Sequence, residues 1–408
     1  MNIREALLER FLRYVRINTC SDENSETVPS TAHQFDLASV LADEMKAMGL
    51  SDVFVDAHCY VYGKLPATKG YEAIPALGFI AHMDTVSEFC DGLEIHPLLH
   101  ENYDGGDIVL RDSGRRIKVQ DFPHLKGMAG RTIITSDGRT VLGADDKAGI
   151  AEIMTMADRV ISSGAAHGTL CFAFTPDEEI GSGADLLDLK RFGAVAAYTV
   201  DGGPEGTLEY ENFNAATAKI DICGVNVHPG DAKDVMVNAA VLAAEFHGML
   251  PKHEQPRYTE GYEGFYHLIG MRGSCASAHL SYIIRDHDRE IFEKRKQTVF
   301  AIAKKLNGIY GEDCVSVEVT DSYYNMKEVL KDHMDLIDKA FLATEAEGVL
   351  PQVIPIRGGT DGARLSFRGL PCPNLGTGGY AFHGPYEHIS LEGMEKAAGI
   401  LYRLAVLG

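Results

Sequence analysis

The chain has 408 residues, of which 45% are hydrophobic and 24% charged, a composition typical of a soluble globular protein long enough for two domains. Its formal net charge of −21 argues against nucleic acid or an anionic membrane surface as the main partner. Because no apolar run is long enough to cross a bilayer and the N-terminus has no signal-peptide core, we expect a cytoplasmic protein whose eight cysteines are reduced.

The N-terminal part of the chain predicts two helices followed by three strands. The elements are expected, in order, at 3–17, 30–48, 53–55, 60–65 and 74–81. The last of these strands is apolar along its whole length, which is typical of a strand covered on both faces. We therefore expect an α/β domain with a mixed, largely parallel central sheet.

Three apolar strands are each followed by residues that can bind a metal or move a proton. In chain order these are His82 and Asp84, then Glu178 and Glu179, then Asp201. The carboxyl ends of parallel strands meet at one edge of a sheet, so these side chains are expected to converge. Adjacent carboxylates point in different directions, which lets one bind a metal while its neighbour handles a proton. Each motif alone could be an ordinary polar turn, but the repetition favours a metal site.

Two further motifs offer candidate ligands. Asp145 and Asp146 precede a strongly amphipathic helix, where Asp146 is expected to cap the helix and leave Asp145 to bind a metal. A glycine-rich loop holds both His383 and His388, and spacing does not choose between them. Histidines without a partner pattern are expected at the surface, and these are His96, His100 and His124.

The pattern changes between residues 213 and 324. The predicted order there is strand, helix, two strands, helix and strand, which is the βαββαβ order of a ferredoxin-like unit. We therefore expect a domain inserted into a catalytic domain formed by 1–212 and 325–408. His228 and Arg285 of the insert are candidate substrate contacts, although a loop histidine and a surface ion pair are the more ordinary interpretations. The remaining segments are helical or glycine-rich and lie at 326–347, 354–362, 376–388 and 391–407.

Taken together, the motifs resemble the M20 family of dizinc peptidases. The resemblance is carried by H-M-D-T at 82, G-A-D-D-K-A-G at 143, P-D-E-E-I-G at 176, V-D-G-G at 200 and H-G-P-Y-E at 383. Other segments, among them G-F-Y-H-L, Y-I-I-R-D, D-S-Y-Y-N-M and P-I-R-G-G-T-D-G, resemble the cytosolic members that remove the N-terminal residue of tripeptides. The resemblance covers nearly the whole chain and is weakest over 111–130.

The resemblance implies a site for two Zn²⁺ ions, for which Co²⁺ or Mn²⁺ could substitute. One ion would be held by His82, Asp145 and Asp201. The other would be held by Asp145, Glu179 and His383, so that Asp145 bridges the two ions.

The resemblance also implies roles around the metals. Glu178 would be the general base that takes a proton from the attacking water, and Asp84 would orient a ligand histidine. The peptide bond between Asp145 and Asp146 would be cis. The inserted domain would form a lid and a homodimer, through which His228 reaches the active site of the partner subunit.

Selectivity for tripeptides requires a cation at a fixed distance from the metals to hold the terminal carboxylate of the substrate. Arg285 is the first candidate, because a guanidinium pairs with a carboxylate through two donors, and Arg357 is the second. Two alternatives stay open: an M20 deacylase or carboxypeptidase with the same catalytic set, and a metal-binding dimeric scaffold without chemistry. The intact Glu178 argues against a scaffold, because a structural metal site has no use for an unligated carboxylate.

Overall fold

The computed structural model describes residues 2–90, 93–111 and 113–406, which divide into two compact units. The first unit comprises the chain up to Tyr210, Glu328–Ile354 and the chain from Thr360 onward, and the second comprises Glu211–Lys327 and Pro355–Gly359. The sequence-based boundaries, 212/213 and 324/325, lie close to these. The short segment Pro355–Gly359 was expected in the catalytic domain, whereas it packs with the second unit.

The elements are numbered in chain order. The α-helices within the described residues are α1 (Ile3–Val15), α2 (Gln34–Ala47), α3 (Ala144–Ser163), α4 (Leu189–Phe192), α5 (Ala239–Met249), α6 (Arg289–Tyr310), α7 (Lys327–Leu330), α8 (Met334–Ala346), α9 (Asp361–Phe367) and α10 (Leu391–Val406). The strands are β1 (Ser51–Val55), β2 (Val61–Leu65), β3 (Leu77–His82), β4 (Leu98–His100), β5 (Ile108–Val109), β6 (Arg116–Ile117), β7 (Ile133–Thr135), β8 (Leu170–Thr175), β9 (Ala196–Gly202), β10 (Thr207–Glu209), β11 (Asn214–Cys223), β12 (Phe265–Gly273), β13 (Ser277–Asp286), β14 (Val315–Tyr323), β15 (Gln352–Val353), β16 (Asn374–Gly376), β17 (Gly379–Tyr380) and β18 (His388–Ser390).

The central sheet of the first unit has the strand order β1-β2-β8-β3-β9-β16-β10-β15. Its middle strands β8, β3, β9 and β16 run parallel, whereas β2 and β10 join this group antiparallel. The predicted mixed, largely parallel sheet is confirmed. Parallel pairing brings the carboxyl ends of β8, β3 and β9 to the same edge.

Both faces of the middle strands are covered, which explains their unbroken apolar sequences. On one face Phe79 of β3 lies between Phe172 of β8 and Tyr198 of β9, with ring centroids 6.3 Å apart in each pair. Helices α1, α2, α3 and α10 contribute buried side chains to the same core. The opposite face buries Ile80 and Ala173 in a second apolar cluster.

The second unit is a four-stranded antiparallel sheet with two helices. Its strand order is β12-β13-β11-β14, and α5 and α6 supply buried side chains to its own apolar core. The order of elements is βαββαβ, so the expected ferredoxin-like insert is confirmed. Alternating burial along β13 is typical of a sheet covered on one face.

The structure departs from the sequence-based elements in the C-terminal part of the chain. The single helix expected over 326–347 is wrong: α7 and α8 are separated at residues 331–333, where His333 has a non-helical backbone. The sequence also gave no indication of the antiparallel sheet β17-β18-β7-β4. The last helix was expected to reach 407, which lies outside the described residues. No helix in the described part of the chain is long and apolar enough to cross a membrane.

Candidate metal centre

The predicted site residues of the first unit stand at one edge of the central sheet. His82 ends β3, Asp201 lies near the end of β9, and Glu178 and Glu179 follow the end of β8. Two other segments add to this edge: the first turn of α3, which carries Asp145, and the loop between β17 and β18, which carries His383. All of these side chains belong to the first unit.

Asp145 directs one carboxylate oxygen toward each of two histidines. Its Oδ1 lies 3.0 Å from His82 Nε2, and its Oδ2 lies 3.1 Å from His383 Nε2. Asp201 Oδ1 is 3.4 Å from His82 Nε2, and Glu179 Oε2 is 3.0 Å from His383 Nε2. The five side chains therefore form two groups of three that share Asp145, the arrangement expected for a bridging ligand.

This donor set fits divalent cations. Burial, with the nearby Asp145 carboxylate as the second cause, raises the pKa of Glu179 to about 7. Burial also raises the pKa of Asp201 to about 6. Carboxyl groups that resist ionisation when they are packed together become stable anions once cations lie among them. Imidazole nitrogens and carboxylate oxygens are ligands for transition-metal ions, so the residues present suit a metal cofactor.

Glu178 is placed beside these ligands but outside both groups. Glu178 is half-buried, and desolvation together with the Asp201 carboxylate raises the pKa of its side chain well above the usual range. Within the described residues, two groups have ligand atoms close enough to share an ion: His82 with Asp146 and Asp201, and His82 with Asp145 and Glu179. Neither group includes Glu178 or His383. A carboxyl group next to a metal site that is not itself a ligand is suited to proton transfer.

Asp84 contacts both the ring of His82 and the backbone of Glu178 and Glu179. His82 Nδ1 lies 3.0 Å from the Asp84 backbone carbonyl oxygen and 3.4 Å from its carboxylate Oδ1. The carboxylate oxygens accept hydrogen bonds from the backbone N–H groups of Glu178, at 2.9 Å, and Glu179, at 3.1 Å. The sequence predicted an orienting carboxylate for His82; in the structure the closer contact to the ring comes from the backbone of Asp84.

Asp146 does not cap its helix, so the capping role expected from the sequence is wrong. The peptide bond between Asp145 and Asp146 is cis, and the Asp146 carboxylate Oδ2 accepts a hydrogen bond from the backbone N–H of His82 at 3.1 Å. The beginning of α3 packs directly on β9, because a Cβ atom at Gly149 would lie 2.0 Å from the Val200 carbonyl oxygen. Glycine at this position allows the aspartates to reach the edge of the sheet.

The two loop histidines have different environments. His383, with a left-handed backbone at φ 62°, reaches Asp145 and Glu179 as described above. His388 is fully buried, with Nδ1 2.7 Å from the Tyr386 carbonyl oxygen and Nε2 2.8 Å from His124 Nε2. The geometry therefore brings His383 to the site and leaves His388 in the small antiparallel sheet.

Two histidines that were expected at the surface are partly buried, so this expectation is wrong for them. His124 stacks on Tyr380 with ring centroids 3.9 Å apart, and His100 Nε2 lies 3.0 Å from Thr135 Oγ1. His96 is exposed as expected. The contacts of His100 and His124 join segments distant in sequence, which a local pattern does not reveal.

The three candidate substrate contacts lie in the second unit. The His228 side chain is exposed, and its Nδ1 accepts a hydrogen bond from Gly230 N–H at 3.1 Å. Arg285 Nη1 donates to the carbonyl oxygen of Ile284 at 3.0 Å, and its guanidinium lies over the Tyr323 ring. Arg357 uses both Nη atoms on loop 259–263, where it donates to three backbone carbonyls and one hydroxyl.

Sequence reasoning missed two buried acids of the first unit. Glu387 accepts three backbone hydrogen bonds from the segment around Asp145. Asp361 accepts a hydrogen bond from Thr175 Oγ1 at 2.9 Å, at the end of β8. Glu387 stands inside the H-G-P-Y-E motif, but nothing in the spacing indicates that its partners lie more than 240 residues away.

The fold and the two ligand groups define a metal-binding hydrolase with an inserted ferredoxin-like domain. Comparison with protein families matches residues 210–314 to the peptidase dimerisation domain of the M20 family. A peptidase T of Alkaliphilus oremlandii is 51% identical over 98% of this chain and 98% of its own length.

Solved structures have the same fold. Aminopeptidase PepT of Bacillus cereus has a TM-score of 0.77 at 24% identity, covering 99% of this chain and 98% of its own. A dinuclear metal-binding M20 peptidase of Bacillus subtilis has a TM-score of 0.66 at 14% identity, with the same coverage. The chain belongs to the peptidase T family of M20 peptidases, and it is a metal-binding peptide hydrolase.

Proposed function

We propose that this protein releases the N-terminal residue of tripeptides with the help of two zinc ions. The observation that carries the proposal is the pair of ligand groups that share Asp145, with the half-buried Glu178 beside them. The 51% identity to a peptidase T supports the same substrate class. The Bacillus cereus structure, described as an aminopeptidase, supports exopeptidase chemistry.

Each side chain of the site then has a chemical task. Bound zinc ions would supply Lewis acidity and lower the pKa of a water molecule toward ~7. Glu178 takes the proton of the attacking water and returns it to the leaving amine, because its carboxylate lies beside the proposed ligands and is not one of them. Asp84 accepts the backbone N–H groups of Glu178 and Glu179, which holds the proposed base Glu178 and the proposed ligand Glu179 in fixed positions relative to each other.

For the second unit we propose a role in homodimer formation. The family match to a peptidase dimerisation domain supports this role. The edge strand β12 also exposes apolar side chains, with Ile269 55% and Met271 47% exposed. Exposed apolar residues on a sheet edge favour association with another chain.

His228 is proposed to act at the active site of the partner subunit. Its Nδ1 accepts a backbone hydrogen bond, so the proton of the neutral ring is on Nε2. An Nε2–H donor can stabilise the negative charge that develops on the peptide carbonyl oxygen.

Arg285 remains our candidate for the cation that binds the terminal carboxylate of the substrate and so selects for tripeptides. The donors of Arg357 are committed to loop 259–263. Arg285 uses Nη1 on the carbonyl oxygens of Ala216 and Ile284 and forms no salt bridge within the described residues. A guanidinium without a carboxylate partner can donate hydrogen bonds to the terminal carboxylate of a tripeptide. We also propose a location in the cytoplasm, a reducing compartment in which the eight free cysteines would stay reduced.

The proposed function is tested by mass-spectrometric analysis of products. The zinc-loaded protein is incubated with an unblocked tripeptide, its N-acetylated form, the matching dipeptide and a tetrapeptide. We expect release of the first residue from the unblocked tripeptide alone. Cleavage of the acetylated peptide, or release of the last residue, would instead indicate a deacylase or a carboxypeptidase.

The matched variants in this experiment are Glu178→Gln and Glu179→Gln. The first should keep both metal ions, because Glu178 is not a ligand, and should lose activity by a factor of about 10²–10⁴. The second should lose metal as well as activity. Metal content is measured on both by atomic absorption; full turnover by Glu178→Gln would contradict the proton-transfer role.

A further inference from the structure

One buried carboxylate outside the ligand set holds the backbone that carries the bridging ligand. Glu387 is 1% exposed. Its Oε2 accepts hydrogen bonds from the N–H groups of Leu142, at 2.7 Å, and Gly143, at 2.9 Å. Its Oε1 accepts a hydrogen bond from Asp145 N–H at 3.0 Å. Both oxygens are therefore used on a single short segment.

Among the described residues, Glu387 is the side chain whose oxygens accept hydrogen bonds from the N–H groups of Leu142, Gly143 and Asp145. Gly143 precedes α3 with a left-handed backbone at φ 74°, and no side chain of the helix start caps it. The N–H groups at a helix N-terminus have no partner within the helix, and burial makes an unpaired N–H costly. Glu387 supplies acceptors for Leu142, Gly143 and Asp145 where the backbone is irregular, because Asp145 and Asp146 have non-helical φ and ψ angles.

Glu387 also belongs to the loop that carries His383, whose ring contacts the carboxylate of Asp145. His383 lies four residues before it, between β17 and β18. Its Nε2 is 3.1 Å from Asp145 Oδ2, so the loop contacts Asp145 twice: by imidazole at the carboxylate and by Glu387 at the backbone N–H. A shift of the loop would move both contacts together.

We propose that Glu387 is a positioning residue that fixes the bridging carboxylate of Asp145 relative to His383, and thereby sets the affinity and geometry of the metal site. This inference rests on the proposed dinuclear site. Glu387 touches neither group of ligand side chains directly; it acts through the backbone of residues 142–145. Partners of this kind orient metal ligands, and their loss typically weakens metal binding 10–100-fold.

The test replaces Glu387 by Gln, which keeps the size but leaves only one oxygen to accept hydrogen bonds, and by Asp, which keeps both oxygens on a shorter side chain. The matched control is Glu152→Gln, a buried glutamate of α3 whose carboxylate has no hydrogen-bond partner within the described residues. Cobalt affinity is measured by competition with a chromophoric chelator, and the visible spectrum of the cobalt-loaded protein is recorded. Circular dichroism checks the fold of each variant.

We expect Glu387→Gln to bind cobalt about 10–100-fold more weakly, with an altered spectrum, and Glu387→Asp to recover part of the loss. The control should match the wild type. Turnover should fall in Glu387→Gln while KM changes little, since the residue does not contact substrate.

Wild-type cobalt affinity and spectrum in a folded Glu387→Gln protein would overturn the inference, even if tripeptides are still cleaved. If Glu387→Gln does not fold, a wild-type spectrum in Glu387→Asp, whose shorter side chain cannot keep all three hydrogen bonds in place, would overturn it equally. A wild-type protein that binds metal but cleaves no peptide would contradict the proposed function and leave this inference standing.

Discussion

Three buried carboxyl groups outside the proposed ligand set accept hydrogen bonds from the backbone of segments that bear predicted site residues. Asp84 accepts the N–H groups of the Glu178–Glu179 pair, Asp146 accepts the N–H of His82, and Glu387 accepts the N–H of Asp145. In each case an acid fixes the backbone of a segment that bears a site residue. These hydrogen bonds tie each segment to a carboxyl group from another part of the first unit, which restricts the backbone at the candidate site.

Glu152 is a buried acid that does not hold any backbone segment of the site. Both carboxylate oxygens of Glu152, in the middle of α3, lack a hydrogen-bond partner within the described residues, and burial raises its pKa well above the usual value. We expect Glu152→Met to raise the free energy of unfolding by about 1–3 kcal/mol at pH 8, because an unpaired buried polar group is removed. Urea unfolding of the metal-loaded protein measures the change.

The increase in the free energy of unfolding caused by Glu152→Met should be larger at high pH than at low pH. A raised folded-state pKa means that the folded protein binds the Glu152 proton more tightly than the unfolded chain, so stability is lost as pH rises above the ordinary value of 4.5. Glu152→Met should therefore gain less at pH 5 than at pH 8. A gain that is equal at both pH values, or a loss, would contradict the buried ionisable role.

Among the elements, the antiparallel sheet β17-β18-β7-β4 depends on neutral histidines. His388 of β18 pairs with Thr135 of β7 in the strand register, and its Nε2 lies 2.8 Å from His124 Nε2. One of these nitrogens must donate and the other accept, so the contact requires at least one neutral ring. The loop that carries His383 joins β17 to β18, so the order of this sheet bears on the site.

This sheet should weaken in acid. Burial lowers the pKa of His388 to about 4 from an ordinary value of 6.5, so the unfolded chain binds the proton first. The stability that neutral His388 contributes is present above pH 6.5 and is lost as pH falls toward 4.

We expect the wild type to lose about 1–2 kcal/mol more than His388→Gln between pH 7 and pH 5. Denaturant unfolding at the two pH values gives both differences. Parallel pH dependence in the two proteins would show that His388 does not titrate in this range.

At the scale of the whole molecule, two units with separate cores share one chain. The first unit holds all the candidate metal ligands, and the second buries its own apolar side chains between one sheet face and two helices. A metal ion bound at these residues would therefore raise the stability of the first unit.

Removal of metal by a strong chelator should loosen the first unit selectively. Without cations, Glu179 and Asp201 each lie near the Asp145 carboxylate, and their pKa values are raised. Hydrogen-exchange mass spectrometry should show faster exchange in segments 142–149 and 177–179 and unchanged exchange in β11 and β13. Equal acceleration in both units would contradict a metal site confined to the first.

Much of the fold was predictable because its signals are local. Unbroken apolar runs indicated the strands of the central sheet, and the change of pattern near 213 indicated the insert. The boundaries of short elements were not predictable: β10, β15, β16 and the small antiparallel sheet have too few residues for a periodic pattern. The break between α7 and α8 also left no glycine or proline signal.

The sequence by itself determined which residue types stand at the ends of β3, β8 and β9, because strand direction sends their polar ends to one edge. It left His383 and His388 equivalent, and only the resemblance to a family chose between them. Tertiary structure decided that His383 faces Asp145 and that Asp146 reaches back to β3 instead of capping α3. It also decided that Glu387 accepts a hydrogen bond from the backbone N–H of Asp145. These contacts join segments far apart in the chain, and their partners are fixed by packing rather than by any spacing along the sequence.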